Sequence, residues 1–143
     1  MSHADLTITA HDDPPAADAD VVDRGLDASN NAAAPLHEVR RLGCFARDAA
    51  GTVIGGAVGR TWGECAELQQ LWVEPSLRGQ GIGRDLVRRF EEQARQRGCR
   101  RCYLDTFSFM APELYRALGY APLMQIEGFA PGIVKFTMLR ELV

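Results

Sequence analysis

A glycine-rich turn with flanking arginines is the part of the chain whose residue types indicate chemistry most directly. Residues 77–84 read Leu-Arg-Gly-Gln-Gly-Ile-Gly-Arg, between an apolar run that ends at Val73 and an amphipathic stretch that begins at Ile82. A strand, such a turn and a helix start bring unpaired backbone N–H groups and the positive end of the helix dipole around one point. Glycines let an anion approach the backbone closely, and Arg78 and Arg84 add fixed positive charge. The sequence therefore predicts a phosphate-binding site at this turn.

The spacing of the turn excludes the two commonest phosphate-binding motifs. A P-loop needs a lysine after its second glycine, and the only lysine of the chain is Lys135. A dinucleotide fingerprint needs a third glycine where this chain has Arg84. The remaining pattern, Arg-x-x-Gly-x-Gly at Arg78, Gly81 and Gly83, resembles the pyrophosphate-binding motif of the GNAT superfamily of acetyl-CoA-dependent N-acetyltransferases. A flexible surface turn before a helix is the alternative interpretation.

A second stretch, from Ser108 to Tyr120, carries the same resemblance. It reads Ser-Phe-Met-Ala-Pro-Glu-Leu-Tyr-Arg-Ala-Leu-Gly-Tyr, where family members often have Asn-x-x-Ala-x-x-x-Tyr-x-x-x-Gly-Phe. The resemblance implies that Tyr115 is the general acid that protonates the departing CoA thiolate. Independently, a thiolate whose thiol has a pKa of about 8.5 is stabilised by a nearby O–H donor as it leaves. A tyrosine that only packs the helix against the sheet is the alternative.

The resemblance also implies that acetyl-CoA is the acyl donor, with no metal. In the family, the strand before the turn splays from its parallel neighbour, commonly at a bulge, and its freed backbone groups pair with the pantetheine arm. The N–H of Leu71 is then a candidate for stabilising the oxyanion that forms on attack. Ser108 stands where the family often has a cofactor-contacting asparagine. The implied cofactor-binding residues are Leu71, Val73, Arg78, Gly79, Gln80, Gly81, Ile82, Gly83, Arg84, Ser108 and Tyr115.

The acceptor amine must lose a proton before it attacks, which requires a base. An amine with a pKa near 10.4 is less than about 0.1% neutral at pH 7. Glu67 lies six residues before Val73, where histone-type members place their general base. Strict alternation along the strand puts Glu67 on the face of Leu71 and Val73. Alternatives are a surface carboxylate, a ligand for a substrate cation, a water chain, Glu64, His37 or Glu38.

The predicted reaction is direct attack by a primary amine on acetyl-CoA through a tetrahedral intermediate. An acyl-enzyme is not expected, because the motif region has no activated Cys-His pair. The acceptor is a small molecule or a peptide, and a homodimer is left open. By family analogy the acceptor pocket forms from residues 10–38, the turn at Trp62 and Glu64, and the loop 127–132 with Phe129. The alternative function is a non-catalytic acyl-CoA-binding module that regulates a partner.

Length and composition predict one domain over residues 1–143, with a flexible N-terminus at 1–4. The chain has no apolar run of about 18 residues and no basic segment followed by an apolar stretch at its start. We therefore expect a soluble cytoplasmic protein with no membrane partner. Eight arginines between positions 78 and 101 favour a polyanionic cofactor. Nucleic acid is not an expected partner, because no recognisable motif is present and the net charge is −3.

Four cysteines, two of them with CxxC spacing, raise the question of a metal site. Zinc would need a second ligand pair beside Cys99 and Cys102, but Cys44 and Cys65 stand alone and the histidines lie upstream in unrelated segments. We predict reduced thiols, buried in and beside strands.

Periodicity and turn signals predict the order β-α-βββ-α-β-α-ββ. This is an α/β (α+β) arrangement with a mixed, mainly antiparallel central sheet and flanking helices, and it is similar to the GNAT fold. The clearest element is a helix from Ile82 to Arg97, whose apolar residues recur every four positions. The strand 101–107 should lie parallel to 65–73, because a helix connects them. The other predicted strands are 6–9, 39–48, 52–62, 120–126 and 133–139, and the other helices begin near Pro14 and Pro112, with a loop over 30–35.

Overall fold

A computed structural model describes residues 2–143 of the chain. The chain divides into two units, one that ends at His37 and one over Glu38–Val143. The first unit contains a 3-10 turn at His3–Asp5 and helix α1, Ala16–Ala33. The helix ends before Pro35, because the residue before a proline avoids the helical region, and Ala34 is extended with a φ of −147°.

Two predictions about the first unit are wrong. Leu6–Thr9 forms no strand, because this extended and exposed segment has no ladder partner among residues 2–143. The loop predicted over 30–35 is helical as far as Ala33, because nothing before Pro35 interrupts the helix. The predicted flexible N-terminus at 1–4 includes Met1, which lies outside the described residues, and it stays a prediction.

The second unit contains six strands and two helices. The strands are β1 Arg40–Arg47, β2 Val53–Trp62, β3 Cys65–Val73, β4 Arg101–Phe107, β5 Ala121–Ile126 and β6 Lys135–Glu141, and the helices are α2 Ile82–Gln96 and α3 Pro112–Ala117. The strands form one sheet with the order β1-β2-β3-β4-β6-β5. All neighbouring strands are antiparallel except β3 and β4, which are parallel. The predicted mixed, mainly antiparallel sheet is therefore confirmed, and so is the parallel pair.

Helix α2 covers one face of the sheet and contributes much of the core. Its residues Leu86, Val87, Phe90 and Ala94 are buried, at the spacing that places them on one side of a helix. Burying a side chain such as Phe90 stabilises the fold by about 1.5–3 kcal/mol, so this stripe fixes α2 against the sheet. The start of α2 is thereby held over the ends of the central strands.

A bulge in β3 changes the faces of its residues. Val58 of β2 stands opposite Gln70, whereas the next residue, Gly59, stands opposite Leu68, so Gln69 is an extra residue in β3. A bulge bends and twists the strand that carries it. At this place the carbonyl oxygen of Glu67 lies so close to Gly59 that a Cβ built there would be 1.9 Å from it. Only glycine lets the two strands approach in this way.

We expect Gly59→Ala to destabilise the protein by about 1–3 kcal/mol or more, as overpacking does in a core. The added methyl group would meet the Glu67 backbone at 1.9 Å and the Phe90 ring at 2.9 Å, and a backbone carbonyl cannot rotate away as a side chain can. Urea unfolding would measure the loss. Gly25→Ala in α1 is the control, because nothing lies within 4 Å of its added Cβ. Equal stability of Gly59→Ala and the parent would contradict this account of the bulge.

Candidate active site

The parallel pairing of β3 and β4 stops before either strand ends. It ends at Glu67 opposite Tyr103, although β3 continues to Val73 and β4 to Phe107. Beyond that point the strands diverge, and a groove of about 720 Å³ opens between them. Because β3 has no ladder partner on this side beyond Glu67, part of its backbone N–H and C=O groups face the groove.

The groove brings together most of the residues that the resemblance assigns to acetyl-CoA. Those that line it are Leu71, Val73, Arg78, Gly79, Gly81, Ile82, Gly83, Arg84 and Tyr115. Gln80 and Ser108 do not line it. The Ser108 hydroxyl instead accepts a hydrogen bond from the Val134 N–H at 3.1 Å and lies 3.4 Å from the Gly132 carbonyl oxygen. It therefore holds the loop between β5 and β6, and its contact with a cofactor stays a prediction.

One end of the groove is the glycine-rich turn at the start of α2. Gly79 and Gly81 have φ values of 80° and 84°, which side chains with a Cβ rarely adopt. Gly81 is the N-terminal cap of α2, so the positive end of the helix dipole lies here. Arg78 donates a hydrogen bond from Nε to the Val73 carbonyl at 2.9 Å. That bond fixes Arg78 on β3 and leaves its two terminal nitrogens without a partner among residues 2–143.

Tyr115 lies on α3, in the wall of the groove. The residue is 8% exposed, and its hydroxyl makes no hydrogen bond with any group in the described part of the chain. Burial raises the pKa of the Tyr115 hydroxyl above its ordinary value, so the phenol keeps its proton at neutral pH. A protonated, unpartnered hydroxyl in a groove wall is a suitable proton donor.

A buried carboxylate supports the segment that carries Tyr115. Glu91 of α2 is 0% exposed and accepts hydrogen bonds from Arg88 at 2.9 Å, Arg140 of β6 at 2.5 Å and the Tyr120 hydroxyl at 2.8 Å. The ring of Tyr120 packs edge-on against Tyr115, with centroids 6.1 Å apart. Glu91 therefore links α2, β6 and the residues after α3, and it holds the ring beside Tyr115.

Glu67, the predicted general base, lies outside the lining of the groove. Its carboxylate accepts a hydrogen bond from Arg60 Nε at 2.8 Å, at the point where β3 and β4 are still paired. The sequence-based placement of Glu67 on the face of Leu71 and Val73 is wrong. The bulge at Gln69 inverts the alternation, so Leu71 and Val73 point towards α2, where a Cβ on Gly83 would lie about 4 Å from both. The catalytic role of Glu67 stays a prediction.

Asp105 of β4 was not predicted, yet it lines the groove. It is the one acidic residue in that lining among residues 2–143. Its Oδ1 accepts a hydrogen bond from the Thr137 hydroxyl at 2.6 Å, and Lys135 Nζ lies 3.8 Å from Oδ2. The sequence does carry a signal for this residue. Asp105 stands between two core-facing positions of its strand, and the resemblance implies that the neighbouring strand splays away.

Three residues predicted for the acceptor pocket, Trp62, Glu64 and Phe129, do not line this groove. Trp62 and Glu64 flank the turn before β3, at the opposite end of that strand from the groove. Phe129, in the loop between β5 and β6, packs edge-on against Phe107 with centroids 5.3 Å apart. Their roles in binding an acceptor stay predictions.

The four cysteines are free thiols, and Cys99 and Cys102 are buried. Burial raises the pKa of Cys102 to about 11 and also raises the pKa of Cys44 and Cys99. These three thiols are protonated at neutral pH, which makes them poor nucleophiles. No group of three or more His, Cys, Asp or Glu residues between positions 2 and 143 is arranged to hold a metal ion.

Comparisons with known proteins identify the family. Residues 10–120 match the model of the acetyltransferase (GNAT) family. The chain is 34% identical over 112 residues to blasticidin-S acetyltransferase of Streptomyces morookaense, an alignment that covers 76% of this chain and 82% of that protein. The chain therefore belongs to the GNAT acetyltransferase family.

Solved structures show the same fold. An acetyltransferase from Bacillus cereus superposes with a TM-score of 0.78 at 23% identity, over 93% of this chain and 97% of that one. An aminoglycoside 6'-N-acetyltransferase solved with coenzyme A superposes with a TM-score of 0.64 at 22% identity, over 72% and 73% of the two chains. Among the helices of residues 2–143, none is long and apolar enough to cross a membrane.

We expect Glu91→Gln to lower the free energy of unfolding by about 3 kcal/mol, because it leaves the guanidinium of Arg140 without its carboxylate in a largely buried place. The neighbouring Glu92→Gln is the matched control. Glu92 is exposed and lies 3.5 Å from Arg95, so its loss should change stability by no more than about 0.5 kcal/mol. Denaturant unfolding compares the two variants, and similar losses in both would contradict the role given to Glu91.

Proposed function

We propose that the protein transfers an acetyl group from acetyl-CoA to a primary amine of a small molecule or peptide. The observation that carries the proposal is the divergence of β3 from β4. It opens a groove that has the glycine turn and Arg78 at one end and the Tyr115 hydroxyl in its wall. Family membership supports the donor and the reaction class. The cytoplasmic location and the homodimer are kept as predictions.

The residues of the groove fit the chemical parts of acetyl-CoA. The pyrophosphate would lie at the turn, where backbone N–H groups, the helix dipole, Arg78 and Arg84 supply positive charge. The pantetheine amides would pair with the backbone groups of β3 that β4 leaves free. The thioester would then lie towards the point of divergence, near Tyr115 and the backbone of Leu71.

In the proposed reaction, the neutral amine nitrogen attacks the thioester carbonyl carbon. The new C–N bond turns the carbonyl oxygen into an oxyanion, for which the Leu71 N–H is the proposed donor. Collapse of the tetrahedral intermediate breaks the C–S bond, and the leaving thiolate takes a proton from the Tyr115 hydroxyl. The amine nitrogen loses a proton in turn, so the phenol can be restored.

We expect Arg78→Glu to weaken acetyl-CoA binding by about 100-fold, because a charge-assisted contact is lost and a negative charge faces the phosphates. Isothermal titration calorimetry measures the affinity. Arg100→Glu is the control, because Arg100 is exposed and lies outside the groove lining. An affinity of Arg78→Glu equal to that of the control would remove the turn from the donor site.

We expect Tyr115→Phe to lower kcat by about 100-fold while acetyl-CoA affinity stays nearly unchanged, because general acid catalysis typically contributes about 10²–10⁴-fold. Release of free CoA thiol with a panel of amines measures the rate. Tyr103→Phe is the matched control, since it removes a phenol of β4 that does not line the groove. Unchanged kcat in Tyr115→Phe would exclude this role. Tight acetyl-CoA binding with no thiol release for any amine would instead favour a non-catalytic acyl-CoA-binding module.

A further inference from the structure

The charges of the groove are divided between its two sides. Arg78 and Arg84 belong to the turn before α2, whereas Asp105 belongs to β4 on the other side of the divergence. A carboxylate repels a polyanionic donor, so Asp105 is unsuited to contact acetyl-CoA phosphates. It is suited to a cation.

We propose that Asp105 binds a positively charged group of the acceptor, and that the protein acts on amines that carry a second cationic group. The proposal rests on the proposed acetyl transfer. The need for a second cationic group on the acceptor follows from the way an amine attacks the thioester. A nitrogen that attacks the thioester must be neutral, and a nitrogen held as an ammonium by a carboxylate has no free lone pair. The cation bound by Asp105 is therefore a different group from the amine that is acetylated.

The position of Asp105 on β4 suits this role. It lies two residues beyond Tyr103, the last residue of β4 that pairs with β3. At about 3.3 Å per residue, this is roughly 7 Å along the strand from the point of divergence. A cation bound at Asp105 therefore lies in the same groove as Tyr115, within the length of a short aliphatic chain from the proposed thioester position.

The Asp105 carboxylate is held in place by a hydrogen bond and, among residues 2–143, has only one distant cation beside it. The Thr137 hydroxyl donates to Oδ1 at 2.6 Å, which fixes the orientation of the carboxylate. Lys135 Nζ approaches Oδ2 only to 3.8 Å, and both side chains are partly exposed, so this ion pair contributes little stability. A carboxylate has about four acceptor positions, and two contacts leave room for a further N–H donor.

The apolar part of the groove lining suits an aliphatic cation. Trp72, Phe109 and Met110 line the same groove with large exposed apolar side chains. Aromatic faces attract ammonium and guanidinium groups, and apolar side chains cover the methylene groups between two nitrogens. The combination of one acid with apolar walls favours an alkyl diamine over a neutral or acidic acceptor.

The test compares acceptors that differ only in the second charge. At saturating acetyl-CoA, kcat/KM would be measured by thiol release with 1,4-diaminobutane, n-butylamine and 4-amino-1-butanol. We expect the wild-type protein to prefer the diamine at least about 10-fold. Asp105→Asn should lower kcat/KM for the diamine by about 10- to 100-fold, mainly through KM, and change the two monoamines little. Asp105→Glu should recover part of the preference.

Glu141→Gln is the matched control, because Glu141 is an exposed acid of β6 that lies 3.6 Å from Arg101 and outside the groove lining. Equal kcat/KM for diamine and monoamines in the wild type, or an unchanged preference in Asp105→Asn, would overturn the proposal. If no amine is acetylated, calorimetric titration of the same amines onto CoA-saturated protein decides it, and equal binding of diamine and n-butylamine overturns it. Failure of acetyl-CoA itself to bind would instead refute the proposed function.

Discussion

The proposed active site depends on the separation of two strands that a regular sheet would keep paired. β3 and β4 stay together only as far as Glu67 and Tyr103, and the ladder hydrogen bonds that are lost beyond them leave backbone groups facing a groove. The bulge at Gln69 lies just past this point and bends β3. The proposed donor site and the access of Asp105 to the groove follow from this separation, and the faces of the later β3 side chains follow from the bulge beside it.

A sheet that opens in its middle needs other contacts to hold its two parts together. Helix α2 provides them, because its buried stripe packs over the strands and its Glu91 binds Arg140 on β6 and Tyr120 after α3. A fully buried carboxylate is costly to desolvate, and here three donors compensate it. The same carboxylate places the ring that packs against Tyr115. Glu91 therefore both holds the two parts of the sheet together and helps to orient Tyr115, the proposed acid.

Much of the fold could be predicted because its signals are local. The four-residue apolar spacing of α2 and the turn signals between β1, β2 and β3 gave boundaries within about two residues of those observed. The prediction of a strand at Leu6–Thr9 is wrong because a strand needs a partner strand, and a local sequence pattern does not identify one. Most groove residues around the glycine turn were predicted from their resemblance to a family motif. Ser108, at the position of the motif's asparagine, binds the loop between β5 and β6, and its contact with a cofactor stays a prediction.

Two features of the site could not be located from the local sequence pattern alone, for a physical reason. One extra residue in a strand moves every later side chain to the opposite face of the sheet. The residues around Gln69 have no local pattern that predicts such a bulge. Asp105 has the local pattern of an ordinary solvent-facing acid, and only the divergence of the neighbouring strand, which the resemblance implies, gives it a groove to line. The nearest available signal was Gly59, since a glycine inside a strand often marks a bulge or a close backbone approach.

Gly59 itself does not line the groove, yet it is in contact with the backbone of Glu67, where the pairing of β3 with β4 ends. Because glycine has no side chain, the backbone of the neighbouring strand β3 can occupy the space that a Cβ would need. A survey of tolerated substitutions across this fold would therefore find a constrained position one strand away from the chemistry. Libraries that vary only groove-lining residues would keep this constraint hidden, and grafting the groove onto another sheet would have to carry β2 along with it.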